Sequence, residues 1–105
     1  MTDFDIDDLK GKAAKAARLL KALGNEYRLL VMCELAQGER SVGALQEVVG
    51  LGQSALSQHL ARLRRDGLVS ARRSAQTVLY SISSKEVMVL METLYDLYCS
   101  DTNEA

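Results

Sequence analysis

Cys33, Cys99 and His59 are the only cysteines and the only histidine in the chain, and such residues serve metal binding, catalysis or thiol redox chemistry. The two thiols stand 66 residues apart and there is one histidine, so a subunit cannot assemble four Cys or His ligands around a metal. There is no Cys-x-x-Cys, no histidine paired with a nucleophile in sequence context and no glycine-rich cradle, so a sulfur transferase or disulfide reductase has little support. The chain reads as a non-enzyme with no catalytic residue, metal or cofactor. Cys33 shares a helical stripe with Leu29, Leu30 and Ala36, where a thiol ordinarily serves as a small apolar group. Cys99 differs, because it closes a helix four residues after Tyr95 and precedes the polar "SDTNEA", where a reagent can enter.

A second chemistry lies in "GLGQSALSQHLARLRRDGLV", Gly50 to Val69. At about 100° per residue, Leu56, Leu60 and Leu63 fall on one side of a helix and Ser54, Gln58 and Arg65 on the other, with Ser57 and Arg62 flanking. Short hydroxyls and amides near a helix start, here Gln53, Ser54, Ser57 and Gln58, suit base edges in the major groove, and arginines further along reach phosphates or guanine. From Gln53 to Gln76 five arginines meet one aspartate, so a net charge of −1 hides +4 there and −5 in the rest. A merely solvated face would more usually mix lysine with glutamate. Arg72 and Arg73 beside "SAQ" suit the flanking phosphate backbone. His59 lies between the leucine stripe and the polar face, which fits a partly buried packing residue. The predicted partner is double-stranded operator DNA.

Those side chains need a scaffold. At 105 residues, 48% of them apolar, the chain suits one domain over 1–105, and few aromatics with no proline or tryptophan favour packed helices. Leu9, Ala13, Ala16, Ala17, Leu20 and Leu23 predict a first helix that breaks at Gly24. Asn25 caps a second helix, with Leu29, Leu30, Cys33 and Ala36 as its apolar stripe, that stops at Gly38; Ser41 caps a third through Val49; "GLG" turns into a fourth ending at Gly67. Val69 and Ala71, then Val78, Tyr80 and Ile82, alternate as a hairpin about "RSAQ". Ser83 with Glu86 predicts a capping box for a last helix whose apolar face runs from Val87 to Tyr98. The expected fold is mostly α with a small β-hairpin, a winged helix-turn-helix of order α-α-α-α-β-β-α. Its two terminal helices carry more apolar surface than so small a core can cover, which predicts a homodimer paired through them. The acidic arm Asp3–Asp8 is a solvated helix start. No apolar run suits a bilayer and the N-terminus lacks the basic character of a secretory leader, so the expected location is cytoplasmic, without membrane contact.

From Leu19 to Cys99, the order of elements and the words "LLKALGNEYRLLVMCELAQGERSVGAL", "QSALSQHLARLRRDGLV" and "QTVLYSI" resemble the ArsR family of dimeric winged-helix repressors. Gly52 and Ala75 stand where many members have serine and glycine; glycine can still cap, whereas alanine turns left-handed less readily. Many members bind thiophilic metals through "CVC" at the start of the third helix, but this chain has Ser41 and Gly43 there. Others use histidines and carboxylates on the last helix, and Lys85 to Cys99 has no histidine. The cysteines in "VMCEL" and "LYDLYC" look like those of the family's sulfide-responsive branch, and equally like those of a virulence regulator within it. That likeness implies reactive sulfur species as inducer, a polysulfide bridge between Cys33 and Cys99, and release of the operator. A persulfide on one thiol offers the other an electrophilic sulfur. Each inserted sulfur adds roughly 2 Å of reach, so resting separation can select polysulfide over peroxide. A general peroxide or disulfide sensor, or an anti-repressor competing with another DNA-binding protein, uses the same residues.

Overall fold

The computed structural model describes residues 5–99. Three helices, α1 (Ile6–Lys10), α2 (Ala13–Leu23) and α3 (Glu26–Leu35), lead to a two-residue strand β1 (Arg40–Ser41). Helices α4 (Val42–Val49) and α5 (Gln53–Arg65) form the helix-turn-helix, β2 (Val69–Ser74) and β3 (Thr77–Ile82) the hairpin, and α6 (Lys85–Tyr98) closes the chain. The molecule is a mostly helical winged helix-turn-helix with a small antiparallel sheet, as the sequence predicts, and its boundaries have local causes. Asn25 Oδ1 accepts from the amides of Tyr27 and Arg28 at 3.0 and 3.1 Å to start α3. Ser41 Oγ accepts from the Ala44 amide at 3.1 Å to start α4. Gly50, left-handed at φ 79°, ends α4 in a conformation that side chains resist.

Four expectations are corrected. The first helix is two: α1 starts at Asp5, whose carboxylate caps the amides of Asp7 and Asp8, and the chain turns at Gly11–Lys12 before α2. On α2 the core takes Ala22 and Leu23 with Leu19 packed beside them, whereas Leu9, Ala13, Ala16, Ala17 and Leu20 are exposed. The buried face of α3 is Arg28, Val31, Met32 and Leu35, and the predicted stripe of Leu29, Cys33 and Ala36 is its half-buried flank, with Leu30 exposed. Apolar residues surround this helix almost completely, so spacing alone does not select a face. The hairpin gains a third strand in the order β1-β3-β2, with Arg40 opposite Tyr80 and Ser41 opposite Leu79. Finally, Ser84 caps α6 by accepting from the Val87 amide at 3.2 Å. Ser83 is committed elsewhere, its Oγ donating to the Gly67 carbonyl and its amide to that of Leu68.

In the core, Val31, Met32 and Leu35 of α3 join Leu45 and Val49 of α4, Leu56, Leu60 and Leu63 of α5, Leu68 and Val69, and Val87 and Met91 of α6. Gly52 opens α5 without a side-chain cap, which forgoes only about a few tenths of a kcal/mol relative to a capping serine. Three fully buried leucines, each contributing about 1.5–3 kcal/mol, outweigh that loss and fix α5. No helix among the described residues is long and apolar enough to cross a membrane.

Candidate nucleic-acid interface and thiol pair

Seating the leucines of α5 inward presents its opposite side to solvent: Gln53, Ser54, Ser57, Gln58 and Arg65 are all exposed. None of the five bonds another described residue through its side chain, so donors and acceptors stand ready for an external partner. Arg64, which sequence spacing did not single out, is exposed beside them at the helix end. Arg62 belongs to a different environment. It is half-buried, its Nε is enclosed without a hydrogen bond, and Asp66 Oδ2 lies 3.8 Å away.

Beneath this helix sits a cluster that periodicity does not reveal. Arg28 of α3 is only 8% exposed. Its Nε donates to the Ala22 carbonyl at 2.5 Å and its Nη1 to His59 Nδ1 at 3.2 Å, so it joins the end of α2 to α5. Because a guanidinium only donates, this bond requires a lone pair on Nδ1, hence a neutral imidazole protonated at Nε2. Burial first, then the Arg28 charge, holds His59 below the ordinary histidine range. Burial and Arg62 lower Arg28 as well, with Asp66 opposing. The Tyr27 ring lies with its centroid 6.1 Å from that of His59. His59 is therefore half-buried packing, as its angular position predicts.

The wing arginines also divide. Arg73 is exposed and its side chain bonds no other described residue. Arg72 is already engaged: its Nε and Nη2 donate to the two carboxylate oxygens of Glu39 at 2.7 and 2.8 Å, a forked pair that ties the wing to the α3–β1 turn. That bond lowers Glu39 and raises Arg72 relative to their ordinary values. Nothing in the local sequence signals this pair, whose members are 33 residues apart. At the wing tip Ala75 is left-handed, φ 58°, the conformation its type resists.

Both cysteines are free. Cys33 is half-buried on α3, and its thiol donates to the Met91 thioether of α6 at 3.7 Å. Burial pushes the Cys33 thiol up, with Cys99 a smaller cause in the same direction. Cys99 is exposed at the end of α6, where its amide bonds the Tyr95 carbonyl at 2.7 Å. A groove of about 570 Å³ between α3 and α6 opens onto Cys33 and reaches Tyr95, one helical turn before Cys99. No group of three or more His, Cys, Asp or Glu suited to a metal occurs among the described residues.

Comparison with known proteins agrees with this architecture. The family description "Bacterial regulatory protein, arsR family" matches residues 25–71. Transcriptional activator HlyU of Vibrio cholerae is 53% identical over 96 residues, covering 91% of this chain and 89% of the relative. The solved structure of reduced HlyU from Vibrio cholerae N16961 superposes with a TM-score of 0.85 at 54% identity, over 89% of this chain and 98% of that one. The transcriptional repressor BigR from Xylella fastidiosa superposes with a TM-score of 0.86 at 36% identity, over 93% of this chain and 100% of that one.

Proposed function

The chain belongs to the ArsR family of bacterial transcriptional regulators, and from that premise we propose that it binds operator DNA as a homodimer and releases it when reactive sulfur species join Cys33 to Cys99. The carrying observation is that two free thiols lie on the helices α3 and α6, and that α3 also bears Arg28, the residue bonded to His59 of the DNA-facing helix. A bridge that displaces α3 against α6 is felt at α5 through that bond, and repositions α5 relative to the major groove.

Gln53, Ser54, Ser57 and Gln58 read bases, and Arg65 and Arg73 meet phosphates, with Arg62 and Arg72 restrained by Asp66 and Glu39. The dimer reading is supported by the apolar surface left on the terminal elements: Leu9, Leu20, Val89, Leu97 and Tyr98 are exposed, Tyr98 by 80%. Pairing through α1, α2 and α6 leaves both α5 helices outward.

For an organic trisulfide the reaction balances without another oxidant. One cysteine thiolate attacks the central sulfur and expels a carrier thiolate; the second attacks that same sulfur and expels the other carrier. The two cysteines are oxidised to a trisulfide and the reagent is reduced to two carrier thiols, which take the two protons. The test is DNA binding by fluorescence anisotropy with intact-mass analysis. Reduced protein should bind, and trisulfide should release it with a gain of one sulfur and loss of two hydrogens within one chain. Cys33→Ser and Cys99→Ser should bind yet fail to respond. Full release of Cys99→Ser by the reagent would refute the bridge, and equal release by peroxide would favour a general thiol sensor.

A further inference from the structure

His59 follows Ser57 and Gln58 on α5, yet its ring bonds inward to α3. Arg28 Nη1 donates to its Nδ1 at 3.2 Å, and Arg28 is itself fixed by the Nε bond to the Ala22 carbonyl of α2. One half-buried imidazole thus ties the DNA-facing helix to two scaffold helices. The tie lasts only while Nδ1 keeps its lone pair, because a guanidinium cannot accept. A proton taken from solvent settles on that nitrogen, abolishes the bond and sets an imidazolium against a guanidinium 3.2 Å away. The surroundings give the new charge little relief. From α3, Arg28 and Tyr27 face the ring, Tyr27 with its centroid 6.1 Å away. Along α5 follow Arg62, one turn on, and Asp66 just past the helix end, whose carboxylate lies 3.8 Å from Arg62 Nε. α2 contributes the Ala22 carbonyl, which Arg28 Nε already occupies, and α4 and β2 pack on α5 through the apolar core. Two guanidiniums therefore stand with one carboxylate before His59 is charged, and protonation makes it three cations to one.

We propose that Arg28 and His59 form a proton-sensitive latch holding α5 in its reading position, so that sequence-specific DNA binding requires a neutral His59 and weakens on acidification whatever the state of the thiols. The proposal rests on α5 as the DNA-reading helix, but not on the Cys33–Cys99 bridge. His59 is a positioning residue: it acts through the placement of α5, while Gln53, Ser54, Ser57 and Gln58 meet the bases. Linkage gives the latch a distinctive sign. Phosphates near a histidine ordinarily favour its charged form and raise its pKa. If the preferred duplex is held only by the neutral form, binding that duplex must lower the pKa instead.

The test uses the full-length Cys33→Ser, Cys99→Ser double variant, which removes thiol chemistry from the pH profile, and a duplex selected by it from a randomised pool at pH 7.5. His59 is the only histidine of the chain, so its ring proton resonances are assigned without ambiguity. They are titrated in the free protein, on the selected duplex and on a random duplex, with fluorescence anisotropy at constant salt and circular dichroism at each pH to confirm folding. An ordinary histidine, with a pKa of about 6.5, would cost about ten-fold in affinity between pH 7.5 and 5.5. His59, held lower by burial and Arg28, should cost less than that at pH 5.5 and progressively more below it. Binding to the random duplex should not weaken. His59→Asn keeps an acceptor that takes up no proton, so it should bind like its parent at pH 7.5 and give a flat profile. His59→Leu strands Arg28 and should lose preference for the selected duplex at pH 7.5 while keeping random binding; if it does not fold, the His59→Asn comparison carries the test. A His59 pKa that rises on the selected duplex as it does on the random one, or a His59→Asn profile as steep as its parent's, would overturn the latch. Preference at pH 7.5 with a flat parent profile would overturn the latch alone, whereas failure to select any preferred duplex would overturn the DNA-reading assignment of α5 and the latch with it.

Discussion

Replacing Glu39 with glutamine removes the charge that now holds Arg72, and the salt dependence of DNA binding should report where that guanidinium goes. In the free protein both carboxylate oxygens of Glu39 are taken by Arg72 at 2.7 and 2.8 Å, so this arginine meets DNA already neutralised. Arg73, next to it, carries no such partner among the described residues. If Arg73 neutralises one phosphate per subunit, Arg73→Ala removes two contacts per proposed dimer and flattens the plot of log K against log salt by about 1.8. Arg72→Ala should change the slope by much less, because the wild-type side chain stays on Glu39. Glu39→Gln should steepen the slope by up to about 1.8 as Arg72 turns to phosphate. Binding to a labelled duplex between about 50 and 200 mM salt spans the range in which such slopes are well determined. Equal flattening by Arg72→Ala and Arg73→Ala, with no effect of Glu39→Gln, would show that Arg72 leaves Glu39 on binding and would refute the reasoning.

Three further outcomes follow from other parts of the structure. Gln58→Ala should lose roughly 1–3 kcal/mol only on operators that carry its preferred base pair, so competition against single-substituted duplexes checks it; equal weakening on random DNA would remove Gln58 from the reading face. Because His59 is held below its ordinary range, the unfolded chain takes up a proton before the folded one does as pH drops below about 6.5. Stability should therefore be level above that pH and decline below it, and urea midpoints at pH 7.5 and 5.5 should differ less in His59→Asn. Ala75→Gly should relieve the left-handed wing turn, a gain of about 1–2 kcal/mol offset by about 0.4–1 kcal/mol of added freedom in the unfolded chain. A small rise in the melting temperature checks it, and a fall would mean that the alanine methyl packs favourably.

What the sequence revealed follows the range of the forces involved. Asn25 and Ser41 cap the helices they were expected to cap, because a capping side chain reaches amides only two or three residues on. The leucines of α5 reveal its orientation, since one face alone is apolar. By contrast β1 is two residues long and exists only because β3 offers it a ladder, which no local period records. Ser83 and Ser84 are equally good caps by type, and the choice between them falls to Gly67 and Leu68, distant partners that claim Ser83. The same distance hides Glu39 from Arg72 and His59 from Arg28. At the candidate site, residue type marked the exposed hydroxyls and amides, but could not tell a free arginine from a paired one.

The separation of roles on α5 bears on how such a protein changes its target over generations. Positions that hold the helix, Leu56, His59, Leu60 and Leu63, alternate with positions 53, 54, 57 and 58, whose side chains bond no other described residue. Substitutions in the second set leave core packing and the Arg28 bond untouched, so they can accumulate near neutrality for folding while altering the bases preferred. A library randomised at those four positions should thus yield mostly folded proteins with divergent operators, and selection for a new promoter need not begin by rescuing stability.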